Sequence, residues 1–156
     1  MNFREAHLQI ACARYFGYRK NIVAPNISWG LKLHECDLLV LTPSGYCYEI
    51  EIKITRADLR ADSKKQHGHL STKISRLYYC VPAVLQDFAL ANIPERAGLL
   101  VVKSPTWLWA QKVREAQRYT DYQWPAVDRI KLAHLGAMRI WSLLENLNRV
   151  DEEFLL

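Results

Sequence analysis

A chain of 156 residues, half of them apolar or aromatic, is sized for one folded domain (1–156) around a single core. Its 21 Lys and Arg against 16 Asp and Glu leave a charge of +5 and a pI near 9.1, a moderate pointer to a polyanionic partner. No run approaches the ~18 apolar residues of a membrane span, the start lacks a secretory layout, and Cys12, Cys36, Cys47 and Cys80 show no C-x-x-C pairing, so the expectation is a cytoplasmic protein with reduced cysteines and no membrane contact.

Asn2 is the expected N-cap of a first helix, in which Phe3, Ala6, Ile10, Ala13 and Tyr15 or Phe16 recur at helical spacing until Gly17. Glu5 falls in its first turn, where a carboxylate suits the helix N-terminus in any case. Asn21 to Trp29 reads as an edge strand broken at Pro25-Asn26. Two segments, Asp37 to Thr42 and Tyr46 to Ile54, flank the turn signal Pro43-Ser44-Gly45 and predict a β-hairpin. Thr55, with Asp58 three residues on, forms a capping box for a second helix that Lys64 to His69 breaks. A strand over Leu77 to Val81, a short helix over Ala83 to Ala91 and a buried strand over Leu99 to Val102 follow. From Lys103 the texture changes: Thr106 to Gln123 is rich in Trp, Tyr, Arg and Gln, its aromatics expected mostly to anchor the C-terminal segment. Asp128 to Asn148 is then a helix whose Ile130, Leu132, Ala133, Ala137, Ile140, Trp141, Leu144 and Leu147 should pack on the core.

Chemistry concentrates in the hairpin. Along its second strand Tyr46, Tyr48, Ile50, Ile52 and Ile54 alternate with Cys47, Glu49, Glu51 and Lys53, which places the acids and the lysine on one face. Folding about Ser44 sets Asp37 opposite Glu51, with Cβ atoms roughly 5 Å apart. Two carboxylates so placed can share a divalent cation, with the Ile52 carbonyl as a further hard-oxygen ligand. Bound Mg²⁺ and a neighbouring ammonium from Lys53 suit phosphodiester hydrolysis. The competing reading is a plain wet strand face, and Glu49 is a rival to Glu51.

Asp37 followed fourteen positions later by Glu51-Ile52-Lys53 resembles the PD-(D/E)XK nuclease signature, and the element order resembles that superfamily's restriction-endonuclease-like αβββαβ core. Cys36-Asp37-Leu38-Leu39-Val40, Glu51-Ile52-Lys53, Asp58 to Lys64 and Tyr78-Tyr79-Cys80-Val81-Pro82 resemble more narrowly the MmcB-like group of small DNA-repair nucleases, over residues 2 to 102. The resemblance implies an α/β fold with a mixed central sheet and, here, a helical C-terminal addition over about 103–156. It further implies Asp37 and Glu51 as Mg²⁺ ligands, Mn²⁺ being able to substitute, and Lys53 as the residue that orients or activates the water. Glu5 corresponds to a first-helix glutamate that completes the site in some members, such as archaeal Holliday-junction resolvases. Cys36 stands where the signature's name has proline.

Lys64, Lys65, Lys73 and Arg76 follow this segment and could hold DNA phosphates, with Gln66, His67 and His69 as further donors; the alternative is a charged surface loop. His67-Gly68-His69 lacks nearby third and fourth zinc ligands. His34-Glu35 lacks the second histidine of H-E-x-x-H, and no Gly-rich phosphate loop occurs. The expectation is therefore a metal-dependent DNA nuclease, with a non-catalytic nucleic-acid-binding module on the same fold as the alternative. The sequence shows no obvious separate recognition domain, so the expectation is that a homodimer or a partner protein selects the target.

Overall fold

The turn at Pro43-Ser44-Gly45 is closed by Gly45, at φ +91°, whose N–H donates to the Thr42 carbonyl at 2.9 Å. The computed structural model, which describes residues 2–65 and 68–154, pairs the flanking strands β2 (Cys36–Leu41) and β3 (Cys47–Ile52) antiparallel. Leu41 lies opposite Cys47 and Leu38 opposite Ile50, the register centred on Ser44 that the sequence predicts. Outside β2 runs β1 (Ile22–Ile27), an edge strand as expected but unbroken, since Pro25 pairs opposite Leu38 within it. Asn26, at φ 53°, disturbs the alternation there, and Ile27 and its partner Cys36 join the same apolar cluster as Ala24 and Leu39.

On the other side of β3 the sheet turns parallel. Strand β4 (Arg76–Pro82) sets Tyr79 beside Glu51, β5 (Gly98–Val102) continues parallel to β4, and β6 (Ala110–Arg114) closes the sheet antiparallel. The six strands therefore lie in sequence order in one mixed sheet. Strand β6 falls in the aromatic-rich stretch where the sequence predicts none. Only Ala110 of its five residues is buried, so an apolar alternation had no reason to appear.

Helices cover both faces, which makes the fold α/β. Helix α1 (Glu5–Tyr15) packs over Leu38, Val40, Ile50, Ile52, Tyr78 and Leu100. It begins at Glu5 and not at Asn2, because the Arg4 N–H is satisfied by His7 Nδ1 at 3.0 Å, leaving Asn2 outside the helix. On the opposite face α2 (Arg56–Asp62) and α3 (Gln86–Asn92, after a 3-10 turn at Ala83–Leu85) cover Leu77, Tyr79, Val81 and Leu99. Thr55 and Asp58 cap α2 reciprocally, each backbone N–H reaching the other's side chain at 3.1 Å, as the sequence predicts. Nearby on that face, Trp124 and the start of α4 (Ala126–Phe154) cover Ala24, Leu39, Leu41 and Cys47.

The apolar stripe of α4 does not pack as expected. Leu132 and Leu135 are buried, but Ile130, Ile140, Trp141, Leu144 and Leu147 are each more than half exposed. The cause is length: 29 residues span about 43 Å, whereas β1, against which the helix lies, has six residues. Most of the flanking aromatics are likewise not anchors. Trp124 is fully buried, its Nε1 donating to the Lys73 carbonyl at 2.7 Å, while Trp107 and Trp109 are exposed. All four cysteines are buried and free. Among the described residues no helix is long and apolar enough to cross a membrane.

Candidate functional site

Alternation along β3 turns Glu49 and Glu51 toward the face shared by α2, α3 and α4. There they occupy the seam between two apolar clusters, because Cys47 belongs to the one under α4 and Leu77, opposite Glu49, to the one under α2 and α3. A wet strand face is excluded: Glu49 and Glu51 have no exposed surface and Lys53 is 8 % exposed. Buried charges persist only where partners surround them, and here they form one connected set.

Lys53 lies at its centre. Its Nζ is 2.7 Å from Glu51 Oε2, 3.1 Å from Asp62 Oδ1 and 3.8 Å from Asp37 Oδ2. Asp37 also accepts the Ile52 N–H at 2.8 Å, which fixes it at the end of the hairpin. Lys65 reaches the same two acids, at 3.3 Å from Glu51 and 3.0 Å from Asp62. The Glu51 carboxyl is pushed up to about 7 by burial and by the charge of Asp37, against the pull of Lys53. Burial opposes the charge on Lys53, but Glu51, Asp62 and Asp37 outweigh it and hold the ammonium protonated well above neutrality.

In front of Lys53 opens a cleft of about 420 Å³, lined by Glu5, Asp37, Ile52, Lys53, Asp58, Asp62 and Lys65 among others. Glu5, the first residue of α1, is thus brought to the cleft, and burial together with Asp37 raises its pKa. Glu51 itself does not line the cleft; the lysine stands between. Its Oε1 is buried with no hydrogen-bond partner.

Behind Glu51 the set continues. Glu49 Oε1 meets His34 Nε2 at 2.7 Å and His69 Nδ1 at 2.9 Å, and His69 Nε2 meets Asp62 Oδ2 at 2.8 Å. Tyr79 also donates to Asp62, at 2.5 Å. Burial works against ionised Glu49, but the two histidines lower its pKa to about 2; burial works against charged His69, but Asp62 and Glu49 raise it to about 9. Glu49 is thereby committed to the histidines and is separate from the cleft.

No family model and no curated protein matches the chain. Among solved structures, it is similar to a protein of unknown function from Silicibacter pomeroyi, at a TM-score of 0.65 and 23 % identity, over 97 % of this chain and 96 % of that one. That likeness concerns the fold alone.

The predicted residues divide accordingly. Asp37, Ile52, Lys53, Glu5 and Lys65 meet at the cleft, and Glu51 lies directly behind it. Lys64 is exposed next to Lys65. Lys73 and Arg76 are not brought there: Arg76 pairs with Tyr48 at the far end of β3 and bonds the Ala116 carbonyl at 2.5 Å, and Lys73 donates to the Leu31 carbonyl at 2.8 Å. Gln66 and His67 lie outside the described residues. Sequence reasoning missed Asp62, His34 and the inward role of His69. Of these only Asp62 carried a signal, four residues after Asp58 and three before Lys65, the spacing that gathers side chains on one helix face.

Proposed function

We propose that this protein is a metal-dependent DNA nuclease on a restriction-endonuclease-like αβββαβ core. Asp37 and Glu51, with the Ile52 carbonyl and Glu5, would hold Mg²⁺ or Mn²⁺, and Lys53 would be the catalytic cation. The observation that carries this reading is a cleft lined by Glu5, Asp37, Ile52 and Lys53, with Glu51 directly behind it, 2.7 Å from the Lys53 ammonium. The donor set fits a hard cation: the ligands are oxygens, and burial together with the charge of Asp37 raises the Glu51 carboxyl to about 7 against the pull of Lys53. When bound, such a cation neutralises phosphate charge and makes a water more acidic.

The chain's own residues then divide the work. Lys53 stays protonated, so it acts by orienting the water and balancing charge on the phosphate, and it is not the base. To do so it must give up its contact with Glu51, and Asp62 on its other side keeps it at the mouth of the cleft. Lys65 borders the cleft, with Lys64 exposed next to it, where a DNA strand's phosphates would run. A cytoplasmic setting suits four unpaired thiols.

One observation favours the alternative of a non-catalytic DNA-binding module: Glu51 is wholly buried behind Lys53. A panel of single-stranded, duplex, flap and junction DNA with Mg²⁺ or Mn²⁺ separates the two. The nuclease cleaves at least one substrate, EDTA stops it, and Asp37→Asn or Lys53→Ala lowers the rate by about 100-fold or more. Salt-sensitive binding without cleavage, unaffected by EDTA and by Lys53→Ala, establishes the module instead.

A further inference from the structure

A second donor cluster lies behind Glu51, and its chemistry differs from that of the cleft. His34 and Cys36, two residues apart at the entry to β2, meet Glu49 of β3. One ligand atom from each, a histidine nitrogen, the Cys36 sulfur and a Glu49 oxygen, all lie within 4.8 Å of one another. Cys36 and Glu49 are fully buried and the His34 side chain is 9 % exposed. The two histidines both meet Oε1 of Glu49, while Oε2 is buried without a hydrogen-bond partner; the Cys36 thiol donates to the His34 carbonyl at 3.3 Å. A carboxylate oxygen left unpaired in the interior is costly; a cation at this point would satisfy it.

We propose that His34, Cys36 and Glu49 form a site for a thiophilic divalent cation of the Zn²⁺ class, separate from the hard-cation site at Asp37 and Glu51. A nitrogen, a sulfur and an oxygen donor suit Zn²⁺, whereas Mg²⁺ takes oxygens and binds thiolate poorly. Cys36 binds as the thiolate and its proton passes to solvent. His69 is a positioning residue: hydrogen-bonded to Glu49 on one nitrogen and to Asp62 on the other, it fixes the direction of the Glu49 carboxylate, the usual arrangement around a metal-bound group. The site ties the entry of β2 to β3 immediately behind the cleft, and it stands whether or not the protein cuts DNA.

The test uses the full chain, stripped with a chelator and titrated with Co²⁺ and then Zn²⁺. One equivalent of Co²⁺ should give visible bands of tetrahedral type with a thiolate-to-cobalt charge-transfer band in the near ultraviolet, and Zn²⁺ should displace it where Mg²⁺ does not. Cys36→Ser should abolish the charge-transfer band, and both it and His34→Gln should weaken Zn²⁺ binding by about tenfold or more. Asp37→Asn, at the other centre, should change neither. If Cys36→Ser does not fold, His34→Gln together with the wild-type bands decides. Absence of a charge-transfer band, its survival in Cys36→Ser, Zn²⁺ binding undiminished in His34→Gln, or its loss in Asp37→Asn overturns the site.

Discussion

Four carboxylates, Asp37, Glu49, Glu51 and Asp62, face Lys53, Lys65 and His69 within hydrogen-bond or ion-pair reach, so proton occupancy in this set governs how well the seam holds together. His69 has a folded pKa of about 9 against an ordinary 6.5, so its contribution to stability is fully present below pH 6.5 and is lost as pH rises through 9. Glu51, raised from 4.5 to about 7, adds a loss in the same direction between those two values. Glu49, lowered to about 2, acts oppositely, its stabilisation holding above 4.5 and failing only as pH falls toward 2. Metal-free protein in EDTA should therefore lose stability from pH 6.5 to 9, on the order of 1–3 kcal/mol for His69. In His69→Gln, chemical denaturation across that range should give a flatter profile; an unchanged slope removes His69 as its source. Asp62→Asn, which strips a buried charge from Lys53, Lys65 and His69 together, should cost about 3–5 kcal/mol by the same measurement. The acids and the lysine on β3 were legible because period-2 spacing is local. His34 and His69 were not, because they come in from 15 and 20 residues away from Glu49 and no spacing rule spans such gaps; Asp62 showed only its spacing to Asp58 and Lys65, which does not point to Glu49.

The hairpin is the element on which the cleft depends, since a shift of its register by one residue would turn Glu51 to the other face. Its turn needs Gly45: at φ +91° an L-residue is strained, and a Cβ there would collide with the guanidinium of Arg129, which bonds the Pro43 carbonyl at 3.1 Å. Gly45→Ala should destabilise by about 1–2 kcal/mol or more in chemical denaturation, and wild-type stability in that variant would show that the turn does not set the register. The hairpin and α2 were read correctly because turn chemistry and a capping box are written into consecutive residues. Strand β6 was not, because it borrows its hydrogen bonds from β5 and presents polar side chains to water. The periodicity of α4 identified a helix, but a stripe does not say how much of itself is covered. Gly136 still lies against Ala24 and Arg139 donates to the Asn26 carbonyl, but Trp141 and Leu147 are each more than half exposed.

At the scale of the molecule, the two proposed centres lie on either side of Glu51 within one sheet, joined through His69 and Asp62, and both would link β2 to β3. A cation bound to the native state and not to the unfolded chain must raise global stability by RT ln(1 + [L]/Kd), about 1.4 kcal/mol at ten times Kd. In a domain of this size that corresponds to a rise of about 3–6 °C in Tm. Mn²⁺ at such a concentration should therefore stabilise the wild type by this amount, and Asp37→Asn should remove most of the shift, since Asp37 belongs only to the cleft. Substoichiometric Zn²⁺ should give a separate rise that Asp37→Asn preserves and Cys36→Ser removes. Because Lys53 must leave Glu51 to admit the cation, Lys53→Met should bind Mn²⁺ at least as tightly as wild type while failing to cleave DNA. A Tm shift that Asp37→Asn leaves intact, or one that disappears in Lys53→Met, would show that the cation does not enter between Asp37 and Glu51.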